Sequence, residues 1–211
     1  LEGGRRQGKG VVVYANGNIY NGDFDQDQRH GQGEFTSKDG YKYTGSWSRG
    51  QIVGEGKAIY PDGTIYSGSF SADLPDGTGT ITYPSGEVYK GQWSAGNIHG
   101  RGLATYPNGV TYKGEFRDTQ YHGKGIMTHT DGYRYDGDWQ DGERSGNGTA
   151  TYPDGATYEG AFQNGKRQGK GHLTMPDGFN YEGDWQEGGM TGAGVATYSN
   201  GAVYTGLFSN G

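Results

Sequence analysis

A tyrosine returns every 23 residues, at Tyr20, Tyr43, Tyr66, Tyr89, Tyr112, Tyr135, Tyr158, Tyr181 and Tyr204, without one insertion or deletion. Nothing else in the sequence restricts the fold as strongly. A short fixed period makes each unit a copy of one supersecondary element, which buries its apolar face against its neighbours. Glycine follows two positions after every tyrosine, from Gly22 to Gly206, and four positions after it stands Phe24, Trp47, Phe70, Trp93, Phe116, Trp139, Phe162, Trp185 or Phe208. Phe and Trp alternate without exception, which points to an underlying unit of two repeats. More glycines fall eleven, thirteen and twenty positions after the tyrosine, as in Gly54, Gly56 and Gly63, and Gly8, Gly10 and Gly17 carry these columns back before Tyr20. The chain reads as one array over 1–211, with a partial repeat at 1–19, eight full repeats at 20–203 and a partial repeat at 204–211. Cut in mid-unit at both ends, it reads as a piece of a longer array, and Leu1-Glu2 reads as vector sequence.

Each unit alternates with period two, the signal of a strand. In YxGxF the rings and the glycine point to one face, and residues such as Lys113, Glu159 and Asp184 to the other. A second strand, GKAIY at 56–60, behaves alike, and Thr fills the column of Ile59 in seven of the eight full repeats. Tyr-Pro-Asp-Gly at 60–63 and 152–155, Tyr-Pro-Asn-Gly at 106–109 and Tyr-Pro-Ser-Gly at 83–86 place proline second in a tight turn and glycine last, where φ can exceed zero. One unit is thus a strand, a loop of about six residues, a second strand and a tight turn. Repetition predicts an all-β chain, one long twisted sheet of antiparallel hairpins, roughly 10 Å per repeat and about 80 to 90 Å in all.

Composition supports order over disorder only through the aromatics. With 45 glycines and 30% hydrophobic residues the chain resembles low-complexity sequence, yet aromatics reach 14% with 18 tyrosines and four tryptophans. There is no cysteine, which fits a reducing compartment, and no apolar run long enough to span a bilayer. A net charge of −6 with no continuous basic face argues against nucleic-acid binding.

The pattern Y-x-G-x-[FW]-x-x-G-x-x-x-G-x-G resembles the MORN (membrane occupation and recognition nexus) repeat. YDGDWQDGERSGNGTATYPDGAT at 135–157 and YEGAFQNGKRQGKGHLTMPDGFN at 158–180 match it almost position for position. The resemblance implies an all-β, elongated single-sheet solenoid of antiparallel β-hairpins with a groove along one face, and scaffolding between membranes and cytoskeleton. Some MORN proteins carry a kinase or methyltransferase domain, but here the repeats use up the chain. Choline- and glucan-binding repeats are also rich in glycine and aromatics, but their clustered Trp-Tyr-Tyr pattern is absent.

The aromatic columns Tyr20, Phe24, Tyr43, Trp47, Tyr66, Phe70, Tyr89, Trp93, Tyr112, Phe116, Tyr135, Trp139, Tyr158, Phe162, Tyr181 and Trp185 read first as core, lying over neighbouring glycines, and second as a stripe open to a peptide or helix. Tyr181, Trp185, Tyr198, Tyr204 and Phe208 are the candidates for an antiparallel homodimer through the C-terminal repeats. Leu74, Pro75 and Tyr121 lie in loops where Asp27, Asp73 and Thr119 replace the usual glycine, and they are the candidate partner contacts. Arg5, Arg6, Lys9, Lys166, Arg167 and Lys170 could hold phospholipid headgroups, although solvated loop charge is the plainer reading. His30, His99 and His122 share a column at a spacing of about 10 Å, too far apart for one zinc ion. No metal, cofactor or catalytic constellation is expected. The expectation is a non-enzymatic cytoplasmic scaffold associated with cytoskeleton and peripheral to a membrane. The alternatives are a phosphoinositide-binding tether, or carbohydrate binding on the aromatic stripe.

Overall fold

A computed structural model describes residues 3–209 and 211; Leu1 and Glu2, read above as vector sequence, lie outside them. The chain divides into two compact units, Leu1–Pro107 and Asn108–Gly211. The first carries β1 (Gly8–Val13), β2 (Ile19–Asp25), β3 (Gln28–Thr36), β4 (Lys42–Ser48), β5 (Gln51–Ile59), β6 (Ile65–Ser71), β7 (Leu74–Thr82), β8 (Val88–Ser94) and β9 (Asn97–Thr105). The second carries β10 (Thr111–Arg117), β11 (Gln120–Thr128), β12 (Arg134–Gln140), β13 (Glu143–Thr151), β14 (Thr157–Gln163), β15 (Lys166–Thr174), β16 (Asn180–Gln186), β17 (Gly189–Thr197) and β18 (Val203–Phe208). The fold is all-β, and within each unit every strand pairs antiparallel with the next.

The glycine columns explain how a single layer of strands can bury large rings. In the first hairpin Gly22 faces Gly33 across β2 and β3. The Tyr20 ring lies on both: a Cβ at Gly33 would come 2.3 Å from the Tyr20 hydroxyl oxygen, and one at Gly22 would come 2.7 Å from it. The hydroxyl donates to the Asp23 carbonyl at 2.9 Å, where the strand register jumps in a bulge. All nine column tyrosines donate to the carbonyl three residues on, at 2.9 to 3.2 Å. From Tyr20 to Tyr181 each phenol thus buries its ring while its polar tip is satisfied by backbone.

The rings then run edge to face from hairpin to hairpin. Trp47 sits 5.4 Å from Tyr20 and 5.2 Å from Tyr43, and Phe70 continues at 5.2 Å from Tyr43 and 4.9 Å from Tyr66. The second unit repeats the ladder through Tyr112, Trp139, Tyr135, Phe162, Tyr158, Trp185 and Tyr181. Each such contact adds about 0.5–1.5 kcal/mol beyond burial.

Both turns are tight. The predicted loop of about six residues is corrected to two residues, because the strands extend inward through the bulge. Gln26-Asp27, Arg49-Gly50, Ala72-Asp73 and Asp141-Gly142 have positive φ at both positions, the type I′ geometry that matches strand twist. At the opposite end, Gly63 N–H donates to the Tyr60 carbonyl at 2.9 Å and has φ +90°, a type I turn closed by a left-handed glycine.

The two-repeat unit has a packing cause. Each indole Nε1 reaches back to the carbonyl of a glycine in the preceding repeat: Trp47 to Gly33 at 3.2 Å, Trp93 to Gly79 at 3.3 Å, and Trp139 to Gly125 and Trp185 to Gly171 at 3.1 Å. Fifteen positions after the tyrosine, repeats of the Phe type carry Phe35, Ile81, Met127 and Leu173, whereas repeats of the Trp type carry Ala58, Ala104, Ala150 and Ala196. The large residue precedes each Trp and rests beside it, as Phe35 does at 6.3 Å from Trp47. The alanine precedes each Phe and is buried. At the hairpin ends Tyr41 meets Tyr60 at 5.6 Å, Tyr133 meets Tyr152 at 5.8 Å and Phe179 meets Tyr198 at 5.7 Å, while Glu87 holds the equivalent position midway between Tyr41 and Tyr133.

Candidate functional site

The aromatic columns are core. Tyr20, Tyr43, Tyr66, Tyr112, Tyr135, Tyr158 and Tyr181 are fully buried, with Tyr89 and the Phe and Trp positions from Phe24 to Trp185 nearly so. Burial pushes the hydroxyls of Tyr20, Tyr43, Tyr89 and Tyr158 up to about 12. A ligand on this face meets what lies between and above the rings.

That space is filled by the residue nine positions after each tyrosine. Ile52, Pro75 and Ile98 are buried there. Tyr121 is half-buried and stacks on Tyr112 at 3.9 Å. The expectation that this position is displayed for partners is therefore corrected for Pro75 and Tyr121; Leu74, on the other face, is 47% exposed. Arg29 and Arg167 lie over Trp47 and Trp185 at 4.2 and 4.3 Å, and their guanidiniums donate to the carbonyls of Gly50 and Gly188 at 2.8 and 2.6 Å. Arg6 stacks on Phe24 at 5.0 Å and pairs with Asp27 at 3.1 Å.

Asp27 and Asp73, two of the residues that replace the usual turn glycine, hold neighbouring backbone. The Asp73 carboxylate accepts the Ile52 N–H at 2.7 Å, and that of Asp27 accepts the Arg6 N–H at 2.9 Å.

On the opposite face cross-strand pairs dominate. Lys170 meets Asp184 and Lys124 meets Asp138, each at 2.6 Å. The ammonium of Lys170 holds the Asp184 carboxyl below the usual carboxylate range. Lys166 pairs with Glu187. Of the basic residues read as lipid candidates, Arg6, Lys166, Arg167 and Lys170 thus have partners within the fold, while Arg5 and Lys9 are exposed. In the second unit this face holds a shallow groove of about 1010 Å³, floored by Gly160, Gly171, Gly183, Gly194 and Gly206 and flanked by Glu159, His172, Glu182, Val195 and Leu207.

A second hollow, of about 590 Å³, lies on the ring face of the same unit, over Trp139. Met127, Tyr133, Pro153 and Arg144 line it, with His129, Asp131 and Glu143 at its rim. Sequence reading did not single out these rim residues; the signal available was the alternation of Met127 with the alanines.

Among the self-association candidates Tyr181 and Trp185 are buried inside their own unit and Phe208 is half-buried, whereas Tyr198 and Tyr204 are exposed, beside Val203 and Leu207. His30 and His99 are exposed and His122 is half-buried. Among the described residues no three His, Cys, Asp or Glu side chains gather as a metal site, and no helix is long and apolar enough to cross a membrane.

The family model for the MORN repeat matches residues 1–19, 20–40, 43–65, 66–88, 89–111, 112–132, 135–157, 158–179 and 181–203. The chain belongs to the MORN repeat family. No curated protein sequence matches the chain. Among solved structures, it is similar in fold to the TCP10 domain of Danio rerio CPAP, at 15% identity and TM-score 0.53 over 96% of this MORN chain and 99% of that one. A CPAP G-box domain aligns at 16% identity and TM-score 0.46, over 96% and 100% of the two chains. The SAS-4 (dCPAP) TCP domain of Drosophila melanogaster, solved with a proline-rich motif of Ana2, aligns at 11% identity and TM-score 0.34, over 93% and 88%.

Proposed function

We propose that this MORN chain is a non-enzymatic scaffold that joins proteins in a cytoskeletal or membrane-cytoskeleton assembly and associates with itself through its C-terminal repeats. One observation carries the reading: the polar groups of the repeated columns are committed to the fold. The tyrosine hydroxyls, the indole N–H groups and the guanidiniums over the rings all bond backbone. What the repeats offer a partner is surface, in two hollows, a row of turns and a strand edge.

Support for self-association comes from β18. Its one strand partner among the described residues is β17, and it exposes Val203 (62%), Tyr204 (44%) and Leu207 (78%). An antiparallel two-fold contact there would cover apolar surface and unpaired backbone together. Sedimentation with small-angle scattering tests it: a dimer that Tyr204→Glu/Leu207→Glu dissociates supports the proposal, and a compact monomer at micromolar concentration overturns it. Crosslinking in the native cell, followed by mass spectrometry, tests for protein partners.

Lipid tethering is the competing reading, and Arg5 and Lys9 are the cations it would rest on. Co-sedimentation with phosphoinositide liposomes that weakens as salt rises would favour it.

A further inference from the structure

The hollow over Trp139 combines features that select one kind of occupant. Met127, Tyr133, Trp139 and Pro153 give it an apolar, partly aromatic lining. Asp131 and Glu143 stand exposed at its rim. Arg144, the cation in the lining, is already committed, donating to the Tyr133 hydroxyl and to the Gly165 carbonyl. We propose that this slot binds a proline-rich segment flanked by basic residues, in the extended polyproline conformation.

Two arguments favour this occupant. The slot lies on a sheet face, where the main-chain groups of β11, β12 and β13 are engaged in their own ladders. An added β-strand would find no backbone partners there, whereas a polyproline segment needs none, because proline has no N–H and the helix has no internal hydrogen bonds. Second, a basic flank meets two exposed carboxylates, Asp131 and Glu143, against the single guanidinium of Arg144, which is turned to Tyr133 and Gly165, on a chain of net charge −6.

The proposal rests on the scaffold reading and specifies its site. The test uses the 211-residue chain and a fluorescein-labelled oligoproline flanked by arginines, followed by anisotropy. Comparison probes are the same oligoproline flanked by glutamates, and a Gly-Ser peptide flanked by arginines. The expected result is saturable binding of the arginine-flanked oligoproline alone. Asp131→Lys/Glu143→Lys weakens it by about tenfold or more and lets the glutamate-flanked probe bind. The unchanged thermal melt of this surface variant shows that the fold is retained. Equal binding of the arginine-flanked Gly-Ser probe reduces the site to charge and overturns the proposal. So does unaltered affinity in the double variant, tighter binding of a basic amphipathic helix, or no binding of the oligoproline at millimolar concentration. If the slot fails while crosslinked partners map to the glycine-floored groove or to β18, the scaffold reading stands without it.

Discussion

Trp139 Nε1 donates to the carbonyl of Gly125 at 3.1 Å, and a phenyl ring in its place has nothing to donate. This bond recurs in the four Trp repeats. Trp139→Phe should therefore destabilise the second unit by about 1–3 kcal/mol, from the lost hydrogen bond and the space left beside Met127. The converse, Phe162→Trp, puts an indole beside buried Ala150 and should also destabilise, by about 1–3 kcal/mol. Urea unfolding of the two variants checks both. If either proves neutral, the alternation is not a packing requirement.

Gly171 faces Gly160 under the Tyr158 ring, and an added Cβ would sit 2.3 Å from the Tyr158 hydroxyl oxygen. Gly10 has only the Phe24 ring near, at 3.5 Å, an ordinary contact. Gly171→Ala should cost about 3 kcal/mol or more, because neither ring nor backbone can withdraw, while Gly10→Ala should stay within about 1 kcal/mol. Circular-dichroism melts of the two variants separate a steric requirement at Gly171 from a mere preference for glycine.

The repeat, the strands and the stacking of rings on glycine were legible in the sequence because identical residues recur in fixed columns, and one physical solution must satisfy all copies. The turns were not. The glycines seven and eleven positions after the tyrosines, the first replaced at Asp27, Asp73 and Thr119, look like punctuation of a loop, but they mark left-handed positions in a type I′ turn and a bulge, as Gly142 (φ +87°) and Gly146 (φ +56°) do. Pro75, Tyr121 and Arg167 fall between them and were read as displayed, whereas the pairing of Phe70 with Pro75, Phe116 with Tyr121 and Phe162 with Arg167 brings them onto the ring face. Long-range partners such as Ile52 and Asp73 leave no trace in a period.

Asp73 has φ +69°, a conformation that disfavours side chains, and its carboxylate accepts the Ile52 N–H at 2.7 Å. Asp73→Ala keeps the strain and removes the acceptor, so it should destabilise by about 1–2 kcal/mol. Asp73→Gly removes the acceptor but also the strain, of about 1 kcal/mol, and should recover most of that loss. Should alanine and glycine behave alike under thermal denaturation, the turn conformation is not what this position controls.

The buried tyrosines fix how the protein meets alkali. Desolvation, assisted at Tyr20 by nearby Asp23, raises that phenol to about 12, and burial does the same at Tyr43, Tyr89 and Tyr158. An unfolded tyrosine ionises near 10. The folded state therefore holds the proton more tightly, so this contribution to stability is complete below pH about 10 and is lost as pH rises towards about 12. Loss should also be cooperative, since a phenolate in the ladder faces a backbone carbonyl that can only accept. Spectrophotometric titration should show tyrosinate appearing in two stages. The later stage belongs to the buried column tyrosines and coincides with the collapse of the β-sheet circular-dichroism signal. If all tyrosines titrate in a single step near 10 with the sheet intact, the phenols are not sealed by the glycine columns in the manner described.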